Sequence, residues 1–294
     1  MTTELRQISP PLTVGQCFTL ATIMEATVPK PGNIHRGADF EDASYPDFII
    51  AASMVGPMFD ALPQIPLGEL ILRAVVRTRE MVNTNTNLGT LLLLGPLAKV
   101  PRTSTLHEGV GQVLDLLSPQ DARDVYEAIR FAQPGGLGKV ADADIADEPP
   151  ADLRAAMRSA AERDMVARQW ANQFQEVFEV VVPRLEAALA VGPDLPAAIV
   201  HLHVELMARF PDSLIARRCG PEIAAQSAAR AQKVLDSGKP GDDAYDRGLS
   251  DLDYWLRTDG HRRNPGTTAD LVAAGLFVAL RDGIIKPPFR LARL

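Results

Sequence analysis

Apolar residues return every three to four positions through nearly the whole chain, and that periodicity leaves few folds open. In residues 67–82 they fall at Leu67, Leu70, Ile71, Ala74 and Val75, while the arginines take another face. This is the pattern of a helix packed on one side. Segments 14–27, 45–62, 195–209, 221–237, 242–257 and 267–282 read the same way, and alternating β-branched runs are scarce. Residues 88–98, LGTLLLLGPLA, are apolar all round, which predicts a central buried helix. The run is about half as long as a membrane span.

Prolines punctuate the pattern. Pro29 predicts the end of the first helix, Gly56-Pro57 an interruption of the second, and Ser118-Pro119 a capped start. A long helix is expected over 152–182, stopping at Pro183. Only 5% of the residues are aromatic although 46% are hydrophobic, so the core must be built from Leu, Ala, Val and Ile. Such a core suits close helix–helix packing. The expected fold is all-α, a single-domain multi-helix bundle over 1–294 with its ligand site at helix ends. Residues 1–12 read as an N-terminal extension. Residues 133–150, QPGGLGKVADADIADEPP, read as a long mobile loop offering Lys139 to a ligand.

Charge and cysteines narrow the partners. With 37 acids against 30 bases the net charge is −7, which argues against nucleic acid. Cys17 and Cys219 lack CxxC spacing and read as reduced, buried thiols. The N-terminus has no basic-then-apolar secretory pattern. A cytoplasmic protein without a membrane segment is expected. No stripe demands a homo-oligomer, which stays open.

Polar stretches interrupt the helices at four places. EATVPKPGNIHRGADFED, residues 25–42, combines stiff prolines, Gly32 and Asn33, the donors Lys30, His35 and Arg36, and the oxygen ligands Asp39, Glu41 and Asp42. Cations that touch phosphates, with carboxylates that hold Mg²⁺, explain the mixture. A solvated, stiff turn explains it as well. VNTNTNLG places Asn83, Asn85, Asn87 and Gly89 before the buried helix, more polar residues than one cap needs. A helix N-terminus is also an anion site. FPDSLIARRCG sets Asp212 close to Arg217 and Arg218, as an ion pair or a phosphate clamp. HRRNPGTTADL reads mostly as a turn through Asn264 and a cap, with Asp270 in the first turn and His261, Arg262 and Arg263 in excess. HLHVE aligns His201 with Glu205 but lacks a third zinc ligand.

PKPGNIHR, NTNTNLGTLLLLGPLA, DSLIARR and NPGTTADL stand in the same order as in triphosphoribosyl-dephospho-CoA synthases, which the chain resembles from about residue 25 to about residue 280. NTNTNLG replaces the NTHKG of the citrate-lyase members, so the chain is similar to a divergent branch. The resemblance implies an all-α transferase that moves the triphosphoribosyl group of ATP to the 2′-hydroxyl of 3′-dephospho-CoA and releases adenine. It implies small-molecule partners and Mg²⁺ travelling with ATP. On this reading Lys30, His35, Arg36, Arg217 and Arg218 grip phosphates. Asn33, Asn83, Asn85, Asn87 and Asn264 meet ribose or base, with Gly32 and Gly89 giving close approach. Asp39, Glu41 and Asp42 hold the metal. Asp212 is the first choice for the catalytic carboxylate and Glu25 the second. Two alternatives stand beside it. One is a phosphoribosyl- or nucleotide-using enzyme of one-carbon (methanopterin-linked) cofactor synthesis. The other is a non-catalytic helical binding protein.

Overall fold

The computed structural model of the chain describes residues 11–61, 64–134 and 149–291. The expected N-terminal extension and the 133–150 loop, Lys139 included, lie almost wholly outside the described residues. Among the described residues there are fourteen α-helices, a short π-helical turn and no strand. They are α1 (Val14–Thr27), α2 (Tyr45–Phe59), α3 (Leu67–Val82), α4 (Leu88–Lys99), α5 (Leu106–Asp115), α6 (Pro119–Ala132) and α7 (Leu153–Ala160). Then follow α8 (Met165–Ala171), α9 (Val182–Val191), α10 (Leu195–Arg209), α11 (Ser213–Cys219), α12 (Pro221–Asp236), α13 (Asp243–Arg257) and α14 (Gly266–Arg281).

The two most apolar helices make the centre. α4 is buried from Thr90 to Ala98, and α14 from Leu271 to Leu280. α1 packs on α14 from one side and α10 from another, while α2, α3 and α6 extend the same core outward. A smaller apolar cluster joins α10, α11, α12 and α13 through Met207, Ile215, Val234, Tyr245 and Leu256. Among the described residues no helix is long and apolar enough to cross a membrane. Cys17 is buried as expected, but Cys219 is only half-buried, its thiol facing the Arg262 carbonyl.

Two expectations about helix limits fail, each for a local reason. α2 runs through Gly56-Pro57 without interruption. A proline so close to the helix end removes only one backbone hydrogen bond. The single helix expected over 152–182 is broken. Asp164 caps α8 by accepting from the amides of Val166 (2.8 Å) and Ala167 (3.1 Å). Gln173 and Phe174 then take positive φ, the π-helical turn Val177–Val181 follows, and Pro183 lies in the first turn of α9 instead of ending a helix.

Pro96 inside α4 has a direct structural answer. Its missing N–H leaves the Leu92 carbonyl without the usual donor four residues on. The fully buried Trp170 of α8 supplies one, its indole Nε1 donating to Leu92 O at 2.9 Å. Trp170→Phe should therefore lower stability by about 1–3 kcal/mol beyond the packing loss. The loss should shrink when Pro96→Ala restores the helical N–H. A double-mutant cycle in denaturant reads this coupling, and zero coupling would discard the explanation.

Candidate active site

The four polar stretches meet. The end of α1, the 28–44 loop, the start of α4, the break between α7 and α8, α11 and the turn before α14 line one cleft of 1390 Å³. Its apolar wall includes Phe40, Phe48, Leu92, Tyr126 and Met157.

The 28–44 loop is held from behind. Asp253 on α13 accepts from Gly32 N at 2.7 Å and pairs with Arg257 Nε at 2.8 Å. Arg257 in turn donates to the Asn33 carbonyl at 2.6 Å. Gly32 has φ +73°, and a Cβ there would lie 2.7 Å from Leu256, so only glycine fits. The glycine serves close packing rather than a ligand. Asn33 does reach the cleft, its Nδ2 donating to Asn264 Oδ1 at 3.2 Å.

Lys30, expected to grip phosphate, is turned away from the cleft. Its side chain is fully buried and its Nζ lies 2.9 Å from Glu25 Oε1. It donates as well to the carbonyl oxygens of Glu25 and Val28. Burial lowers the lysine's pKa and raises the glutamate's, and their mutual attraction opposes both shifts. Glu25 lines the cleft; Lys30 lies behind it. His35 and Arg36 do not line the cleft either. His35 closes a tight turn, its Nδ1 accepting from Gly37 N at 3.1 Å. Burial and the nearby Arg257 push its pKa down.

The expected metal set divides. Glu41 and Asp42 lie on the cleft wall, exposed, but Asp39 does not, and its Oδ1 accepts from Tyr45 N at 2.7 Å. Among the described residues no group of three or more His, Cys, Asp or Glu side chains is arranged to hold a metal ion. In HLHVE, His201 and Glu205 already have other partners, Glu205 pairing with Arg184. His201 bonds the Tyr245 hydroxyl at 2.8 Å, and His203 is fully buried, where burial and Lys30 push its pKa down to about 3.

Asp212 is corrected most sharply. It is 4% exposed and is not among the cleft residues. Its Oδ1 accepts from the amides of Leu214 (2.8 Å) and Ile215 (3.0 Å). Its Oδ2 accepts from Thr268 N (2.7 Å) and Thr268 Oγ1 (2.8 Å). All its capacity goes to capping α11 and fastening the first turn of α14, and burial raises its pKa against those four donors. Arg217 and Arg218 do face the cleft, with Arg217 paired to Asp164.

The polar run before α4 is split. Asn83 is the left-handed C-cap of α3 and lies off the cleft. Asn85 caps Leu88 N at 3.2 Å, and Asn87 accepts from Thr78 Oγ1 at 3.3 Å; both line the cleft. Asn87 is 4% exposed, and its Nδ2 has no partner, nor does Thr86 Oγ1. Gly89 is glycine because Asp270 stands over it, with Oδ2 2.0 Å from where a Cβ would be.

Asp270 is the residue that sequence reasoning missed as a functional group. It lines the cleft, with Oδ1 accepting from Thr90 Oγ1 at 2.8 Å, and forms no ion pair among the described residues. Burial, reinforced by the charges of Glu25, Asp212 and Asp164, pushes its pKa up to about 8. The available signal was one acid in an otherwise apolar helix. Arg163 and Asp164, placed by the α7–α8 break, and Arg130 were missed too. Of His261, Arg262 and Arg263, only His261 lines the cleft, its ring 4.2 Å from that of Phe40.

Two stability measurements follow. Lys30→Ala leaves Glu25 buried without its cation and should cost about 3–5 kcal/mol, whereas loss of a surface phosphate contact would leave the unfolding midpoint unchanged. Asp270 is raised in the folded protein, so between about pH 4 and 8 the native state holds more protons than the unfolded chain and stability falls as pH rises. Asp270→Asn removes this titration. The variant should melt above the unaltered protein at pH 8, with the gap closing toward pH 4. A gap independent of pH would show that Asp270 ionises normally.

Comparison with known proteins gives this cleft a context. The chain matches the ATP:dephospho-CoA triphosphoribosyl transferase (CitG) family over residues 11–287. A solved structure from Archaeoglobus fulgidus, provisionally named a triphosphoribosyl-dephospho-CoA synthase, aligns with a TM-score of 0.62 at 27% identity. The alignment covers 79% of this chain and 98% of that one. None of the curated proteins compared with the chain matches it. With a match that takes in every wall of the cleft, the chain belongs to the ATP:dephospho-CoA triphosphoribosyl transferase family.

Proposed function

We propose that the protein transfers the triphosphoribosyl group of ATP to the 2′-hydroxyl of 3′-dephospho-CoA, releasing adenine. The observation that carries this reading is the convergence of the four polar stretches, dispersed over residues 25–270, on one cleft of 1390 Å³. Two sets of side chains face it. Arg130, Arg163, Arg217 and Arg218 come from α6, the α7–α8 break and α11, and suit a triphosphate. Asn33, Asn85, Asn87 and Asn264 come from the 28–44 loop, the start of α4 and the turn before α14, and suit ribose and base edges. The apolar wall suits a pantetheine arm.

The chemistry asks the protein to hold the triphosphate, which does not leave, and to take a proton from the acceptor hydroxyl. The arginines do the first. Glu25 is positioned for the second, as a carboxylate on the cleft whose basicity burial raises and whose charge Lys30 supports. Mg²⁺ is proposed to enter with ATP. Magnesium keeps most of its waters and needs one or two carboxylates beside substrate phosphates. Glu41 and Asp42 supply that donor set, and bound Mg²⁺ would neutralise triphosphate charge there. A cytoplasmic location is proposed because both substrates are made and used there. Neither alternative, a one-carbon cofactor enzyme or a non-catalytic binding protein, is favoured by the family match.

The test is chromatographic. With ATP, Mg²⁺ and dephospho-CoA together, free adenine should accumulate in step with a product that joins the triphosphoribosyl group to dephospho-CoA. Omitting dephospho-CoA should stop it. Arg218→Ala should raise the KM for ATP about 10–100-fold, the loss of one charge-assisted contact. Adenine release that ignores dephospho-CoA would defeat the proposal.

A further inference from the structure

At the start of α4, Asn87 and the carboxyl packed on Gly89 have features that the general binding roles above leave unexplained. Asn87 is almost wholly buried at the cleft wall, and Thr78 occupies its acceptor oxygen, yet its Nδ2 has no partner. Burying such a donor unmet is costly unless a ligand completes it. Two residues on, Gly89 has no side chain, so the carboxyl of Asp270 closes directly over the first turn of α4. Thr90 holds one oxygen of that carboxyl at 2.8 Å, and Oδ2 has no hydrogen-bond partner among the described residues. An amide donor and a carboxyl thus stand together on the cleft wall at the first turn of α4.

We infer that the cleft space beside these two groups is the slot for the adenine of ATP, with Asp270 as the general acid that protonates the departing base and Asn87 Nδ2 donating to another acceptor on its edge. The inference rests on the triphosphoribosyl-transfer reading and adds to it the group that makes adenine able to leave.

The proton balance is complete. The C1′–N9 bond of the donor breaks, its electron pair goes to the purine, and a purine ring nitrogen takes the proton from Asp270. The acceptor oxygen bonds to C1′, and its proton passes to Glu25. Asp270 ends ionised and Glu25 protonated, and exchange with solvent resets both. An acid must hold its proton at working pH, and the surroundings of Asp270 ensure this. Thr90 on α4 gives it a hydroxyl. Glu25 on α1, Asp212, the N-cap of α11, and Asp164, the N-cap of α8, raise its pKa through their charge, while Lys30 is paired to Glu25 and Arg217 to Asp164. Glu25 and Asp270 are therefore set to opposite tasks by their neighbours.

The experiment compares two donors, ATP and an ATP methylated at purine N7, whose base departs neutral without taking a proton. In the presence of Mg²⁺ and dephospho-CoA, Asp270→Asn should reduce kcat with ATP by roughly 10²–10⁴-fold and with the methylated donor by less than tenfold. In the unaltered enzyme kcat with ATP should fall as pH rises past about 8, and that limb should be absent with the methylated donor. An equal loss with both donors, or no loss, overturns the inference while leaving triphosphoribosyl transfer standing. If the variant does not fold, the donor comparison of pH profiles in the unaltered enzyme decides alone. A limb shared by both donors overturns the inference. An unaltered enzyme that releases base from neither donor overturns the transfer reading, and the inference with it.

Discussion

The cleft depends on one buried carboxylate that never touches it. Asp212 accepts from two amides of α11 through one oxygen and from both groups of Thr268 through the other. α11 carries Arg217 and Arg218, and α14 carries Asp270 two residues beyond Thr268. One side chain thereby sets the distance between the arginines and the buried acid. Hydrogen bonds to a charged group contribute about 1.5–3 kcal/mol each, enough to hold a register against thermal motion. The same group imposes a cost, since its charge helps to raise the pKa of Asp270. Position and protonation are set together.

The PKPG stretch obeys the same logic. Its conspicuous groups, Lys30, Gly32 and His35, are turned inward and tied to Glu25, Asp253 and their own turn. The groups it presents are Glu25 and Asn33, both almost wholly buried side chains that reach the cleft. A loop in a site needs rigidity to hold its contacting atoms within a fraction of an ångström. Its lysine therefore goes into the scaffold, and the fixed carboxylate and amide go to the ligand.

Much of the architecture was legible because burial writes a period into sequence. α1, α3, α4, α6 and α10 fall where apolar spacing and capping residues put them. The break within 152–182 shows where that legibility ends. Residues 152–182 carry helical spacing throughout, and nothing in that spacing reveals that Asp164 turns inward to cap α8 and pair with Arg217. The site was legible at the level of segments, since all four polar stretches arrive at the cleft. It was much less legible at the level of atoms. Charge in a motif marks a residue as constrained, and the constraint on Lys30 or Asp212 is satisfied by a partner far away in the chain or hidden on the backbone.

Asp270 shows the converse. Its sequence setting, the first turn of an apolar helix, looks like simple complementation of the helix dipole. What changes its chemistry is the neighbour it meets across the cleft. Gly89 lets the carboxyl approach α4 so closely that water is excluded from one side, and Thr90 gives it a hydroxyl instead of a cation. A lysine in that place would have opposed the rise, as Lys30 opposes that of Glu25. The division of labour between the two carboxyls is thus decided by whether the residue behind each is an ammonium or a hydroxyl. That is a property of packing between distant helices, and it becomes visible only when α1, α4 and α14 are brought together.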